Sequence, residues 1–333
     1  MGYHRDPSKS SSISILQAEY RRRVWLSVAG MDDVASFLVG FPRMMPAIYS
    51  DAMEPRNLYD WELSDDTTIL PPSRPLTENT PSTYMIVKGR LFRALGRITD
   101  FNSTPIMGSY DTVLELDKSL YEAYQNIPPN MKAFNSFENR FDFSNFQLES
   151  MYHKGMCTLH RKFVAKSRLH PQYNLSLDRC ISSALAILDY QHIWEPSWYK
   201  FSQTRQILTL ASMILFLELE YRRRGLDTNT PSESGALLQA LEKSCALWEV
   251  AKSSCDEALR LYHVLAGMLS SFQPVAGTSY AQTQTSEPPF EFPGFNPQLQ
   301  PISGSISSEK DLLSNEMDID WVGLSNLILV TLY

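Results

Sequence analysis

The chain has 333 residues, 43% apolar and 20% charged, enough to bury a core and too apolar for whole-chain disorder. Its 30 Lys and Arg against 37 Asp and Glu give a net charge of -7, which excludes a general polyanion binder. The four cysteines, Cys157, Cys180, Cys245 and Cys255, form no CxxC pair, so they predict reduced buried thiols of an intracellular protein rather than a zinc centre.

Taken in chain order, the period is helical. Val24, Trp25, Val28, Met31, Val34, Ala35 and Leu38 recur at steps of three and four and predict one apolar helix face. Ser14 with Gln17 marks its start, and Gly40 with Pro42 its stop. From about Phe41 to Pro81 prolines replace periodicity, which predicts a long connection that is either functional or wrapped over the surface. A second helix is expected from Pro81, facing inward with Tyr84, Val87, Leu91, Ala94, Leu95 and Ile98. A third carries Val113, Leu116, Leu120, Ala123 and Tyr124 and stops at Pro128. Further helices are predicted over about 145–166, 177–194, 201–223, 233–252 and 256–272. The sixth contains ILTLASMILFLEL, apolar nearly all round, and is expected at the centre of its bundle. Period-two alternation is absent, so the fold class is all-α, a multi-helix bundle over 1–273.

After Phe272 the composition shifts. Residues 274–301 are rich in Pro, Gly, Ser and Gln and are expected to be a disordered linker. Residues 302–333 form an acidic-hydrophobic tail. From Ala276 onward Lys310 is the single basic residue, against seven acidic ones. Acidic residues there alternate with Leu312, Leu313, Met317, Ile319, Trp321, Val322 and Leu324, the composition of a transcriptional activation segment. The charges keep these side chains solvated until a partner groove accepts them as a helix. The alternative is a tail that packs back on its own bundle. No stretch approaches the ~20 apolar residues that span a bilayer, so no membrane role is expected.

One stretch is more specific than its periodicity. Gly2-Tyr3-His4-Arg5-Asp6-Pro7, Ala18-Glu19, Arg21-Arg22-Arg23-Val24-Trp25, Asp32, Gly40 and Pro42-Arg43 follow one another in an order that resembles the fungal-specific transcription factor domain. This is the middle homology region of the binuclear zinc-cluster regulators. Tyr152-His153-Lys154 and Leu159-His160-Arg161 resemble a later helix of the same family, and the likeness covers about residues 2–273. It implies an all-α regulatory domain, a nuclear protein, and control of activity through small-molecule or protein contacts. It also implies a zinc cluster that binds DNA, but the six cysteines and basic linker of that cluster have no counterpart here. The expectation is therefore an N-terminally truncated domain, with zinc only in the missing cluster and no cofactor or direct DNA contact in this chain.

The remaining motifs read as structural. Three successive arginines, Arg21 to Arg23, fan about 100° apart around a helix and cannot all face one DNA backbone. Two are expected in solvent and one paired with Asp6, Asp32 or Asp33. Arg222-Arg223-Arg224 ends a helix, where cations complement the dipole. His4-Arg5-Asp6 has the letters of a kinase catalytic loop, but Ser11 stands where the metal-binding Asn belongs. His153 and His160 share a helical face with Cys157 between them, a spacing better suited to a core than to a metal. Trp194 and Trp198, in the turn WEPSW, are candidates for a pocket rim. No catalytic constellation emerges, so a non-enzymatic regulator recruiting the transcription machinery through its tail is expected. The alternative is a stand-alone helical small-molecule-binding protein, or a biosynthetic accessory enzyme, derived from the same domain.

Overall fold

The computed structural model describes residues 2–10, 12–45, 48–104, 108–132, 143–225 and 231–272. Eight α-helices make up most of these, and no strand occurs among the described residues. They are α1 (Ile15–Val39), α2 (Thr83–Ser103), α3 (Tyr110–Gln125), α4 (Phe143–His160), α5 (Asn174–Asp189), α6 (Ser202–Arg223), α7 (Pro231–Ala251) and α8 (Asp256–Ser270). The chain divides into two compact units, Met1–Leu159 and His160–Tyr333. The division falls at the end of α4.

The ends of α1 follow from local chemistry. The Ser14 hydroxyl accepts a hydrogen bond from the Gln17 amide at 3.2 Å, and Gly40 closes the helix at φ 77°, a left-handed conformation that glycine adopts without a Cβ penalty. α2 begins two residues later than predicted, at Thr83, because Thr80, Pro81 and Ser82 form a turn instead. Asn57 holds that turn. Its side-chain carbonyl accepts from the hydroxyls of Thr80 at 2.7 Å and Thr83 at 2.8 Å, and its amide donates to the Pro75 and Glu78 carbonyls.

The first unit is set by close helix contacts. Leu26 of α1 lies over Gly89 of α2, and Asp33 lies over Gly96. Both pairs are seven residues apart, so the two helices run side by side in the same direction. A Cβ at Gly89 would sit 2.6 Å from the Leu26 side chain, so a larger residue there would have to push Leu26 aside. Gly155 of α4 serves likewise, with Leu95 of α2 and Leu120 of α3 at 2.5 and 2.8 Å from where its Cβ would be.

The predicted core face of α1 is a correction. The buried positions are Ala18, Glu19, Arg22, Leu26, Gly30, Asp33, Ser36 and Phe37. Val28, Met31 and Ala35 are exposed, and Val24, Trp25, Val34 and Leu38 are only half-covered. Burial of Glu19, Arg22 and Asp33 is possible because each has charged or backbone partners inside, so polarity does not mark the outer face here.

The described part of the long connection wraps over this unit as irregular chain, with a turn of 3-10 helix at Asp60–Glu62 and further turns at Asp65–Asp66 and Leu76–Thr77. Leu58 is its apolar anchor and is fully buried.

The second unit is arranged around α6, which contacts α5, α7 and α8. Ile207, Leu208, Ala211, Ile214, Leu215, Phe216 and Leu219 are all buried, as the apolar run predicts. Short 3-10 turns at Arg161–Phe163, Lys166–Arg168, Tyr190–Ile193 and Pro196–Lys200 carry the chain between helices. Arg205 secures the last of these, donating from Nη1 to the Tyr199 and Lys200 carbonyls at 2.7 Å each.

Candidate functional site

The residues singled out at the front of the sequence meet in one place. Asp6 caps a short 3-10 turn, accepting from the Ser8 amide at 2.8 Å. Its carboxylate also accepts from Arg22 Nη2 at 3.0 Å and from the Met53 amide at 3.0 Å. Arg22 reaches on to Glu19 at 3.3 Å, and Glu19, fully buried, accepts from the Arg56 amide at 2.5 Å. One buried guanidinium thus holds two carboxylates, and each carboxylate holds a backbone amide of the wrapped connection. Burial pushes the Asp6 carboxyl up, but the hydrogen bonds from Arg22, Ser8 and Met53 outweigh it and hold the group well below the usual carboxylate range.

The neighbouring residues act in the same way. Arg23 pairs with Asp60 at 2.8 Å, and Arg21 lies over the Tyr3 ring at 5.3 Å. Of the three arginines two are therefore ion-paired rather than one, and the third rests on an aromatic face. Arg5, largely exposed, lies over Tyr49 at 5.7 Å. His4 packs against Trp25, ring centres 6.0 Å apart. Asp32 accepts from the Met44 and Met45 amides at 3.1 and 2.8 Å, fixing the chain just after Gly40 and Pro42. Arg43 then folds back onto Asp33 and Asp100. Burial raises the Asp33 carboxyl, against the pull of Arg43. The signature cluster is a clamp that fastens the connection onto α1 and α2. Its carboxylates are all engaged by donors of the chain.

The basic run at the end of α6 is structural too. Arg222 donates to Glu218 at 2.7 Å, while Arg223 and Arg224 bind Glu220 at 2.7 and 2.6 Å.

His153 lies in α4 beside Tyr152 and Tyr124, with ring centres at 4.9 and 6.3 Å. Tyr124 stacks on Tyr152 at 3.9 Å and donates to Glu149 at 2.8 Å. Burial lowers the His153 pKa from 6.5 to about 4, against a smaller opposite effect of Glu149. The unfolded chain therefore takes up this proton first. The contribution of His153 to stability is full above pH 6.5 and is lost as the pH falls toward 4. From pH 7 to pH 5 this amounts to about 2 kcal/mol. A His153→Phe chain is expected to lose that much less stability over the interval in urea titrations; an unchanged acid sensitivity would contradict the assignment. In the second unit His160 Nδ1 lies 2.9 Å from the Ser176 hydroxyl, both buried. Cys157 is fully buried.

Trp194 is buried, Trp198 half-buried, and their rings are 6.4 Å apart. Beside them Tyr199 meets Trp248 edge-on at 4.8 Å and accepts from Gln191 at 2.9 Å, which makes this turn a packed corner. A cleft of about 420 Å³ lies elsewhere in the unit, between α5 and α7, lined by Leu185, Ala186, Ala236 and Ala240 with Asp189 and Lys243. Nothing in the sequence marks this cleft, because it depends on small side chains facing across two helices distant in sequence. The candidate activation residues Leu312 to Leu324 lie outside the described residues.

No group of three or more His, Cys, Asp or Glu among the described residues could hold a metal ion, so these residues do not fit a zinc centre. No helix among them is long and apolar enough to cross a membrane.

Comparison with known proteins gives a consistent set of relatives. The chain is 31% identical to the Zn(2)-C6 fungal-type transcription factor pigI of Monascus ruber, over 94% of this chain and 42% of that protein. It is 29% identical to the fusarisetin A cluster transcription factor fsa6 of a Fusarium species, over 95% of this chain and 47% of that one. It is 31% identical to the pyrrolocin cluster transcription factor fsdR of a fungal species, over 81% and 38%. The chain thus spans less than half the length of these relatives, all of which are named as fungal transcription factors. No family model matches the chain, and no solved structure matches it.

Proposed function

We propose that this chain is the effector-responsive regulatory region of a fungal zinc-cluster transcription factor, acting in the nucleus, with a C-terminal segment that recruits the transcription machinery. The observation that carries the reading is likeness to transcription factors along 94% of the chain. Two of the relatives are named for the fusarisetin A and pyrrolocin clusters, and by that likeness we assign this chain to the control of a fungal biosynthetic gene cluster. DNA and zinc binding are assigned to the part of such factors that this chain does not span. The two helical units supply a scaffold, since the charged residues of the signature cluster are engaged in holding the fold. The α5–α7 cleft, with a carboxylate, an ammonium and alanine methyls on its walls, is the seat assigned to a small-molecule effector. The role is regulatory rather than enzymatic.

The tail is tested by tethering residues 275–333 to a heterologous DNA-binding domain in a fungal reporter strain. The expected result is activation that Trp321→Ala combined with Leu313→Ala returns to the level of the DNA-binding domain alone. A tail that fails to activate, or a double variant as active as the parent, would overturn the recruiting role.

A further inference from the structure

Cys255 stands apart from the other cysteines. Cys157 and Cys180 are fully buried, as the sequence predicts, but Cys245 and Cys255 are only half-buried. Cys255 is the N-cap residue of α8, where the first amides of the helix and its dipole favour negative charge. Its one thiol proton has two acceptors in reach. They are the Tyr199 carbonyl, 3.7 Å from Sγ, and the carboxylate of Glu257 in the first turn of α8. Hydrogen bonds from its own amide and then from the Cys255 thiol hold the Glu257 carboxyl below its usual range. A cation also lies on the sulfur: Arg205 Nη1 is 3.8 Å from Sγ. Arg205 is 7% exposed, and a charge so buried is normally paired with an opposite one. Among the described residues it has no ion-pair partner. Nη1 donates to the Tyr199 and Lys200 carbonyls, and Nε has no hydrogen-bond partner. Glu257 feels the charge of Arg205 more weakly than either of its own hydrogen bonds. A partly accessible thiol, a proton acceptor and a buried cation without a counter-ion thus meet at one helix start.

We propose that Cys255 is a site of oxidative modification, converted by hydroperoxides to the sulfenic acid, with Glu257 as proton acceptor and Arg205 as the counter-ion of the thiolate. The thiol proton passes to the Glu257 carboxylate and leaves a thiolate beside the guanidinium. The thiolate attacks one oxygen of hydrogen peroxide. The S–O bond forms as the O–O bond breaks, and the departing hydroxide takes the proton back from Glu257 and leaves as water. Sulfur loses two electrons, the peroxide gains them, and Glu257 ends as it began. Cys245 is the internal comparison. It is also half-buried, but burial first and Glu249 second push its thiol up, which keeps it in the protonated, unreactive form. No local pattern marks Cys255, because Arg205 and Tyr199 are 50 and 56 residues away in sequence. The proposal does not depend on the function assigned to the chain.

The test is trapping of the sulfenic acid with dimedone in the folded full chain, under hydrogen peroxide at neutral pH, followed in time peptide by peptide by mass spectrometry. Cys255 is expected to be labelled about tenfold faster than Cys245, with Cys157 and Cys180 silent, and the four rates to converge in urea. Glu257 is half-exposed, so Glu257→Gln should keep the wild-type helical content while the Cys255 rate falls to that of Cys245. Arg205→Lys keeps a cation and should keep the preference for Cys255, whereas Arg205→Met should lose it. Silence of Cys157 and Cys180 in each variant shows that the variant is folded. Labelling of Cys245 as fast as Cys255 in the folded wild type overturns the proposal. So does a Cys255 rate that neither Glu257→Gln nor Arg205→Met lowers.

Discussion

An Asp6→Ala chain is expected to lose about 3–5 kcal/mol of stability, because removing one side of a buried ion pair strands the other. Arg22 and Asp6 are both buried, and Arg22 keeps only Glu19 once Asp6 is gone. The Ser8 and Met53 amides lose their acceptor at the same time, which adds to the cost. The effect should appear in two measurements. Urea titrations should show the lost stability, and limited proteolysis should cut between residues 44 and 70, where the connection has lost its tie at Met53. The carboxyl is held well below its usual range, so this contribution is present throughout neutral pH and disappears only in strong acid. A loss below about 1 kcal/mol, the range of exposed pairs, would mean that the clamp does not work as a buried unit.

The second large effect is expected at Glu218. Its side chain is fully buried in α6 and binds both Arg168 and Arg222. Arg168 comes from the 3-10 turn after α4, and its guanidinium also lies over the Tyr221 ring at 5.2 Å. Glu218→Gln keeps the shape and removes the charge, so the largely covered side chains of Arg168 and Arg222 each lose this carboxylate. We expect a destabilisation of about 3 kcal/mol, near the lower end for broken buried pairs. Hydrogen exchange should rise at 161–169, the segment that Arg168 ties down. A variant as stable as the parent would show that α6 packing alone fixes this turn.

Much of the helical layout is legible in the sequence because its signals are local. Ser14, Gly40, the prolines after Gln125 and the all-round apolar run of α6 each act within a turn or two of themselves. The fate of the connection from Phe41 to Pro81 is only half legible. Its prolines exclude a helix, but its anchors lie far away: Asp6 to Met53, Glu19 to Arg56, Arg90 to Glu54 and Arg43 to Asp100. The buried face of α1 was missed because its interior positions carry charge and glycine while its outer stripe is apolar. A rule that equates apolar with inside fails where ion pairs are completed in the core and a hydrophobic seam is left outside. Neither periodicity nor composition marks Asn57, although it holds the start of α2. The α5–α7 cleft gave none at all.

The central claim, that this chain is the regulatory and activating part of a transcription factor, is tested most directly by tethering the chain itself. Residues 1–333 and 1–273 would each be fused to the same heterologous DNA-binding domain and compared on one reporter at matched protein levels. The account predicts that the full chain activates and that removing 274–333 silences it. Activation that is equal in the two fusions, or absent from both, would contradict it.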